Sequence, residues 1–79
     1  MKIQILGGGC PNCEALAKHA VEAGERLGID VEIEKVTDSD AIMEMGVLRT
    51  PGYAIEGELR GSGKVFSAEE IATEMEKAR

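Results

Sequence analysis

Two cysteines, Cys10 and Cys13, are the residues of this chain with the most distinctive chemistry. They lie three positions apart in the segment Gly-Gly-Gly-Cys-Pro-Asn-Cys, residues 7–13. Two neighbouring thiols can cycle between a dithiol and a disulfide. One thiolate attacks a disulfide of another molecule, and the second thiol resolves the mixed disulfide that results. The spacing therefore predicts dithiol–disulfide exchange through this pair.

The sequence around the pair predicts that the two thiols differ. The alternating run Lys2–Leu6 is typical of a strand, and Pro11 suits the first position of a helix. Cys10 then lies at the N-terminus of that helix, where unpaired N–H groups and the helix dipole stabilise a thiolate. We expect an exposed Cys10 with a lowered pKa. Cys13 falls on the apolar face of the helix, so we expect it to be shielded from solvent.

Other interpretations of the cysteine pair remain open. A structural disulfide across so short a loop would constrain the unfolded chain by only about 2 kcal/mol. Two thiolates also suit Cu(I) or Zn(II), as in a soft-metal carrier. With no third cysteine, one chain cannot form a closed structural zinc site of cysteines. His19 lies off the apolar face, and we expect a solvated surface residue. The methionines at helical spacing are expected to fill the core rather than bind copper: Met43, Met45 and Met75.

The elements that position the cysteines follow from the periodicity of the apolar residues. The helix that begins at Pro11 should end before Gly28, and a second strand should span residues 29–36. The apolar face of this helix is expected to consist of Cys13, Leu16, Ala17, Ala20, Val21, Gly24 and Leu27. Because a helix connects them, the first two strands should be parallel.

The second half of the chain predicts a short helix, a hairpin and a last helix. Asp38 can cap the short helix, which should run to about Met45 before Gly46. Strands at 53–56 and 59–65 should form a hairpin that turns at Gly57. Ser67 and Glu70 have the spacing of a capping box at the start of the last helix. The whole predicts an α/β fold of order β-α-β-α-β-β-α, with a four-stranded mixed sheet flanked by three helices in a single domain, residues 1–79.

Composition and charge exclude several function classes. The net charge is −6, and the only aromatic residues are Tyr53 and Phe66. A nucleic-acid-binding surface needs clustered basic residues and aromatic platforms, so that class is set aside. No apolar run is long enough for a membrane span, and the N-terminus does not resemble a secretory signal. We expect a cytoplasmic monomer, in a compartment where a cysteine pair serves redox or metal chemistry.

A second segment, Thr50-Pro51, lies just before the predicted hairpin, with Pro51 41 positions after Cys10. With it, the chain resembles the thioredoxin superfamily over its whole length. Three features carry the resemblance: the Cys10-Pro11-Asn12-Cys13 segment after the first strand, Gly46-Val47 leading to Thr50-Pro51, and Gly63 before the last helix. The chain is most similar to the small, glutaredoxin-sized redox proteins of archaea and bacteria.

The resemblance implies roles for these residues. Cys10 would be the attacking nucleophile, and Cys13 would resolve the mixed disulfide. Pro51 would be cis and pack against the disulfide, where it also keeps metals away from the thiols, and Thr50 would pair its backbone with the substrate chain. The remaining residues expected to shape the site are Pro11, Asn12 and Gly63.

The resemblance also implies the reaction: reduction of protein disulfides, with electrons from a separate, thioredoxin-reductase-like donor and no cofactor other than the cysteine pair. The chain departs from the common patterns at Gly9, where thioredoxins carry tryptophan, at Gln4, where they carry a buried aspartate, and at Asn12, where glutaredoxins carry tyrosine. Arg49 and Lys64 could bind glutathione, although we expect solvated surface charges. Glutathione-dependent reduction, a soft-metal carrier and a redox-switched binding module remain the alternatives.

Overall fold

The computed structural model of the protein describes residues 1–7 and 11–78. The described chain forms four strands and three helices in the predicted order. They are β1 (Lys2–Leu6), α1 (Pro11–Leu27), β2 (Glu32–Val36), α2 (Ser39–Glu44), β3 (Gly52–Ile55), β4 (Glu58–Ser62) and α3 (Ala68–Ala78). The predicted α/β fold class is confirmed.

The strands form one mixed sheet in the order β2-β1-β3-β4. β1 is central. It pairs in parallel with β2, as a helical crossover requires, and antiparallel with β3. The hairpin of β3 and β4 turns at Glu56 and Gly57, which both have positive φ, at 52° and 84°. Two such residues in sequence are typical of the tight turn that matches the twist of a hairpin.

Helices cover both faces of the sheet, as predicted. α1 and α3 lie against one face, where the larger apolar cluster is found, and α2 covers the other face. The larger cluster contains Ile3, Ile5, Cys13, Leu16, Ala20, Ala23, Tyr53, Ile55, Ile71 and Met75. The smaller cluster contains Leu6, Ile42, Val47 and Ala54. No helix of the described residues is both long and apolar enough to cross a membrane.

α1 has the predicted bounds, and Gly28 follows it with a φ of 68°. The predicted apolar face of α1 is wrong at one residue, Val21. Val21 is 42% exposed, whereas Ala23 is fully buried. Successive residues of a helix are about 100° apart. Ala20 is fully buried, and Val21, the next residue, therefore points away from the buried face. Ala23, three residues after Ala20, returns to the buried face and belongs to the same cluster as Ile71 and Met75 of α3.

Two strands are shorter than predicted. β2 begins at Glu32 rather than at Ile29, because the Ile29 N–H donates to the Gly24 carbonyl at 2.9 Å and closes the end of α1 instead. β4 ends at Ser62 rather than at residue 65. Gly63 has a φ of 88°, which takes the chain out of the extended conformation.

The predicted helix caps are present. The Asp38 side chain accepts a hydrogen bond from the Asp40 N–H at 3.1 Å at the start of α2. Ser67 and Glu70 form a reciprocal capping box before α3, with both hydrogen bonds at 3.1 Å. Met43, however, is 69% exposed, so its expected place in the core is wrong. α2 is a short helix with a single buried residue, Ile42, so it buries only a narrow face.

Candidate active site

The site is built where three elements meet at one edge of the sheet. β1 and β3 are antiparallel, and their register ends with Leu6 opposite Gly52. Gly7 follows Leu6 and Pro51 precedes Gly52, so these two residues lie at the same edge of the sheet. α1 begins at Pro11. Its first turn carries Cys13 to this edge.

Cys13 is buried, with 4% of its surface exposed, and belongs to the larger apolar cluster. Its shielding was predicted from its place on the apolar face of α1. The sulfur lies directly against the backbone of Gly7, at the end of β1. A Cβ atom placed on Gly7 would overlap Cys13 Sγ. The same atom would be 3.7 Å from Thr50 Cβ, so Gly7, Cys13 and Thr50 converge at one point.

The segment before β3 forms the opposite side of the site. The peptide bond between Thr50 and Pro51 is cis. Thr50 is exposed and Pro51 is buried. The Gly63 N–H donates to the Pro51 carbonyl at 2.9 Å, and this bond joins the segment to the end of β4. Of the site residues predicted from the sequence, the structure therefore brings Cys13, Thr50, Pro51 and Gly63 to one region.

Pro11 and Asn12 are both exposed at the start of α1. They precede Cys13 by less than one helical turn, at the end of α1 that meets the site. Cys10, the predicted nucleophile, lies outside the described residues, together with Gly8 and Gly9. Its role and its exposure stay predictions.

Comparison with known proteins decides the family. A model of the thioredoxin domain matches residues 1–76 of the chain. The chain belongs to the thioredoxin family. It is 54% identical over 71 residues to a protein named thioredoxin from Methanothermobacter thermautotrophicus, a match that covers 90% of this chain and 92% of the relative. It is also 45% identical over 73 residues to a protein named thioredoxin from Methanocaldococcus jannaschii, covering 92% and 84%. The protein is therefore a thiol–disulfide oxidoreductase that acts on protein disulfides.

Gln4, which replaces the buried aspartate of common thioredoxins, is engaged within the sheet. Its side-chain amide donates to Glu34 Oε1 at 2.8 Å, across the β1–β2 pair. This hydrogen bond, with the Lys2 ammonium at 3.0 Å, lowers the pKa of the Glu34 carboxyl. Position 4 therefore holds an amide and not a carboxylic acid. The amide stabilises the carboxylate of Glu34 on the neighbouring strand.

Lys64 and Arg49 differ in their surroundings, although both are exposed as predicted. Lys64 pairs with Glu70 at 2.9 Å and lies over the Phe66 ring, 5.0 Å from its centroid. The hydrogen bond from Lys64 and the Ser67 N–H together lower the pKa of Glu70. Arg49 forms no salt bridge with any residue in the described part of the chain. Its cation is therefore the more available of the two for an external carboxylate.

His19 contradicts the expectation of a solvated surface residue. It is partly buried, and its Nδ1 lies 2.7 Å from the Phe66 carbonyl oxygen. A carbonyl only accepts, so Nδ1 carries the proton and donates. The segment before α3 crosses α1 at this point, 47 residues later in the chain. Helical periodicity could not reveal this partner, which links α1 to the segment before α3.

Tyr53 lies beneath the site as part of the core. It is 1% exposed, pairs with Ile5 in the sheet and meets Phe66 edge to face, with ring centroids 5.1 Å apart. Burial, followed by the charges of Glu74 and Glu70, raises the pKa of Tyr53 to about 12. Its hydroxyl is therefore neutral at physiological pH and available only as a hydrogen-bonding group.

Two features of the site were not predicted. Gly7 was not among the predicted site residues, yet it lies against the sulfur of Cys13. Leu48, two residues before Thr50, is 94% exposed. The run of three glycines does not indicate the contact of Gly7 with Cys13, and nothing in the sequence separates Leu48 from the buried Val47 beside it. Within residues 1–7 and 11–78, no group of three or more His, Cys, Asp or Glu side chains could hold a metal ion.

Proposed function

We propose that Cys10 and Cys13 carry the oxidoreductase activity, the first as nucleophile and the second as resolving thiol. The Cys10 thiolate attacks one sulfur of the target disulfide, and the other target sulfur leaves as a thiolate. Cys13 then loses its proton and attacks the Cys10 sulfur, which releases the second target thiolate and forms the Cys10–Cys13 disulfide. The target gains two electrons and, in water, two protons. The buried Cys13 sulfur beside Gly7 and Thr50 is the observation that supports this assignment.

The electrons that restore the dithiol would come from a separate reductase of the thioredoxin-reductase type. Glutathione is the weaker candidate, because Lys64, one of the two cations that could hold its carboxylates, already pairs with Glu70. The two donors can be compared directly. We expect NADPH with a thioredoxin reductase to sustain turnover faster than glutathione with its own reductase. A cytoplasmic, monomeric state and the absence of a further cofactor belong to the same proposal.

The surface beside Thr50 suits a protein substrate. Thr50 is exposed and could offer its backbone to an extended chain, while Leu48 projects almost fully into solvent. We expect Leu48→Ser to raise the KM for a protein disulfide about fivefold, because partial burial of one leucine stabilises binding by about 1 kcal/mol. Turnover of a small aromatic disulfide should not change.

Val21→Ser is the matched control for Leu48→Ser. Val21 is also an exposed apolar residue, at 42%, but it lies on α1 two turns beyond Cys13. The KM of Val21→Ser for the same protein disulfide should equal that of the wild type. Equal KM values for wild type and Leu48→Ser would remove Leu48 from the docking surface.

Single cysteine variants test the two-thiol mechanism. Cys10→Ser should be unable to reduce insulin when it is supplied with the electron donor that supports the wild-type protein. Cys13→Ser, which preserves size at a buried site, should accumulate a mixed disulfide between Cys10 and the target, visible as an added mass under non-reducing conditions. Anaerobic titration of the wild type with Cu(I) tests the metal-carrier alternative on the same sample. Multiple turnovers of insulin reduction by Cys13→Ser would show that the proposed mechanism is wrong.

A further inference from the structure

Gly7 occupies a fixed position at the end of β1. It is buried, and its N–H donates to the Val36 carbonyl at 3.0 Å, which extends the β1–β2 pairing by one residue. The backbone at Gly7 is thus held by the sheet. Cys13 is held in turn by the first turn of α1 and by the apolar cluster around it. The contact between them joins two rigid elements.

The backbone conformation does not explain why this position is a glycine. Four glycines of the described chain have a positive φ, the conformation that favours glycine: Gly28, Gly46, Gly57 and Gly63. Gly7 does not belong to this group, so a residue with a Cβ could adopt its backbone. The requirement is space. A Cβ there would make ordinary contact with Thr50, at 3.7 Å, but would overlap Cys13 Sγ.

The overlap concerns the one atom of Cys13 that reacts. The Cys13 side chain has a single rotatable bond that moves its sulfur, and one of its three staggered positions is rare in a helix. An alanine at position 7 would displace the sulfur from the position it occupies against β1, either to another rotamer or off any rotamer. In both cases the sulfur leaves the position beside Gly7 from which the proposed resolving attack would start.

We propose that Gly7 is a positioning residue for the resolving step: the absence of a side chain at the end of β1 holds Cys13 Sγ where it attacks the mixed disulfide. The inference rests on the proposed two-thiol mechanism. In the step concerned, the bond between Cys13 Sγ and Cys10 Sγ forms while the bond from Cys10 to the target sulfur breaks. The target sulfur leaves with the electron pair and takes up a proton from water.

Gly7→Ala tests this proposal by rapid acid quench of the reaction with a protein disulfide. The rate at which the mixed disulfide forms should stay within about twofold of wild type, because Cys10 performs that step. The rate at which it resolves should fall about three- to tenfold, the range that corresponds to the cost of an off-rotamer side chain. The mixed disulfide should therefore accumulate.

Gly24→Ala is the matched control. A Cβ on Gly24 would overlap Val31 Cγ2, an equally close conflict placed at the far end of α1. It should reduce stability without a selective effect on resolution. Adding Gly7→Ala to Cys13→Ser should leave the lifetime of the trapped mixed disulfide unchanged, because the residue acts through the Cys13 sulfur.

Stability gives a second measurement in case Gly7→Ala does not fold. Unfolding by urea should show that Gly7→Ala destabilises the wild type more than it destabilises Cys13→Ala, in which the sulfur is absent. Equal destabilisation in both backgrounds overturns the proposal, as does a Gly7→Ala protein that resolves at the wild-type rate or slows both steps alike. Failure of Cys13→Ser to trap any mixed disulfide would instead overturn the two-thiol mechanism.

Discussion

The sulfur of Cys13 lies in the same apolar cluster as Ile5 and Leu16, so the proposed resolving thiol is also a core residue. This dual position has a chemical consequence. Because Cys13 is only 4% exposed, we expect a large target to react first with Cys10, three residues earlier, and Cys13 to react only with the disulfide formed there. Burial therefore orders the two proposed steps.

Tyr53 allows a spectroscopic test of the core beneath the site. Because burial and the nearby carboxylates raise its pKa to about 12, its ultraviolet titration should have a midpoint near that value rather than near 10. Stability should be unaffected below pH 10 and should fall as the pH rises from 10 toward 12, since the folded state retains a proton that the unfolded chain releases. Tyr53 is the only tyrosine, so the signal has one source. A midpoint at 10 would mean that the ring is solvated.

The burial of Cys13 could be predicted from the sequence, but its contact with Gly7 could not. Periodicity places Cys13 on the face of α1 that carries Leu16 and Ala20, and this is local information. The approach of Gly7 depends on how α1 rests on β1. A glycine in a run of three has an adequate local explanation as a turn residue, and that explanation hides the steric one.

At the scale of elements, His19 joins α1 to the segment before α3 through the Phe66 carbonyl. His19→Ala should lower the free energy of unfolding by about 1 kcal/mol, the usual contribution of one partly buried hydrogen bond. His19→Asn should recover part of the loss, because its side-chain amide can donate from a similar position. Urea unfolding at neutral pH gives both values.

Lys18→Ala provides the control for His19, because Lys18 is its exposed neighbour on α1. Its unfolding free energy should match that of the wild type. Equal stability of His19→Ala and Lys18→Ala would show that the link to Phe66 does not hold the helices together.

The capping box of α3 predicts a defined dependence on pH. Lys64 and the Ser67 N–H lower the pKa of Glu70 below 4.5, so the folded state favours its carboxylate. The contribution of the Glu70 carboxylate to the stability of the fold is present above pH 4.5 and is lost as the pH falls through the lowered pKa. Glu70→Gln should therefore be less stable than the wild type at pH 7, and the difference should shrink toward pH 3.

Glu69→Gln controls for the loss of one negative charge at the start of α3. Glu69 is exposed and forms no salt bridge with the residues that the structure describes. At pH 7 the free energy of unfolding of Glu69→Gln should differ less from that of the wild type than the free energy of unfolding of Glu70→Gln does. A difference for Glu70→Gln that grows on acidification would contradict the assigned direction.

The elements with local signals were predictable, and those set by tertiary contacts were not. Pro11 has no N–H to donate, Gly28 adopts a positive φ, and Ser67 and Glu70 form a capping box. Each of these local signals marks a helix end that the structure contains. The early end of β4 depends instead on Gly63, which adopts a positive φ and donates to Pro51 from a distant segment. The exposure of Val21 likewise depends on where α3 packs.

At the scale of the whole molecule, two small cores on the two faces of one sheet hold a 79-residue chain together. The larger one contains a site residue, Cys13, so the stability of the fold and the geometry of the site are coupled. The order of elements and the two covered faces could be predicted, because each strand and helix carries its own period. The resemblance to thioredoxins implied that the Thr50-Pro51 segment approaches the cysteines, but it did not imply the contact of Gly7 with Cys13 Sγ, because that contact depends on how α1 rests on the end of β1.

Site-resolved alkylation of the reduced protein tests the central claim most directly. The protein is exposed at pH 7 to a limiting amount of iodoacetamide, and the modification of each cysteine is followed by mass spectrometry. We expect Cys10 to react at least about tenfold faster than Cys13, because a thiolate at a helix N-terminus is reactive and a buried sulfur must wait for local opening. Equal rates at the two cysteines, or faster modification of Cys13, would contradict the account.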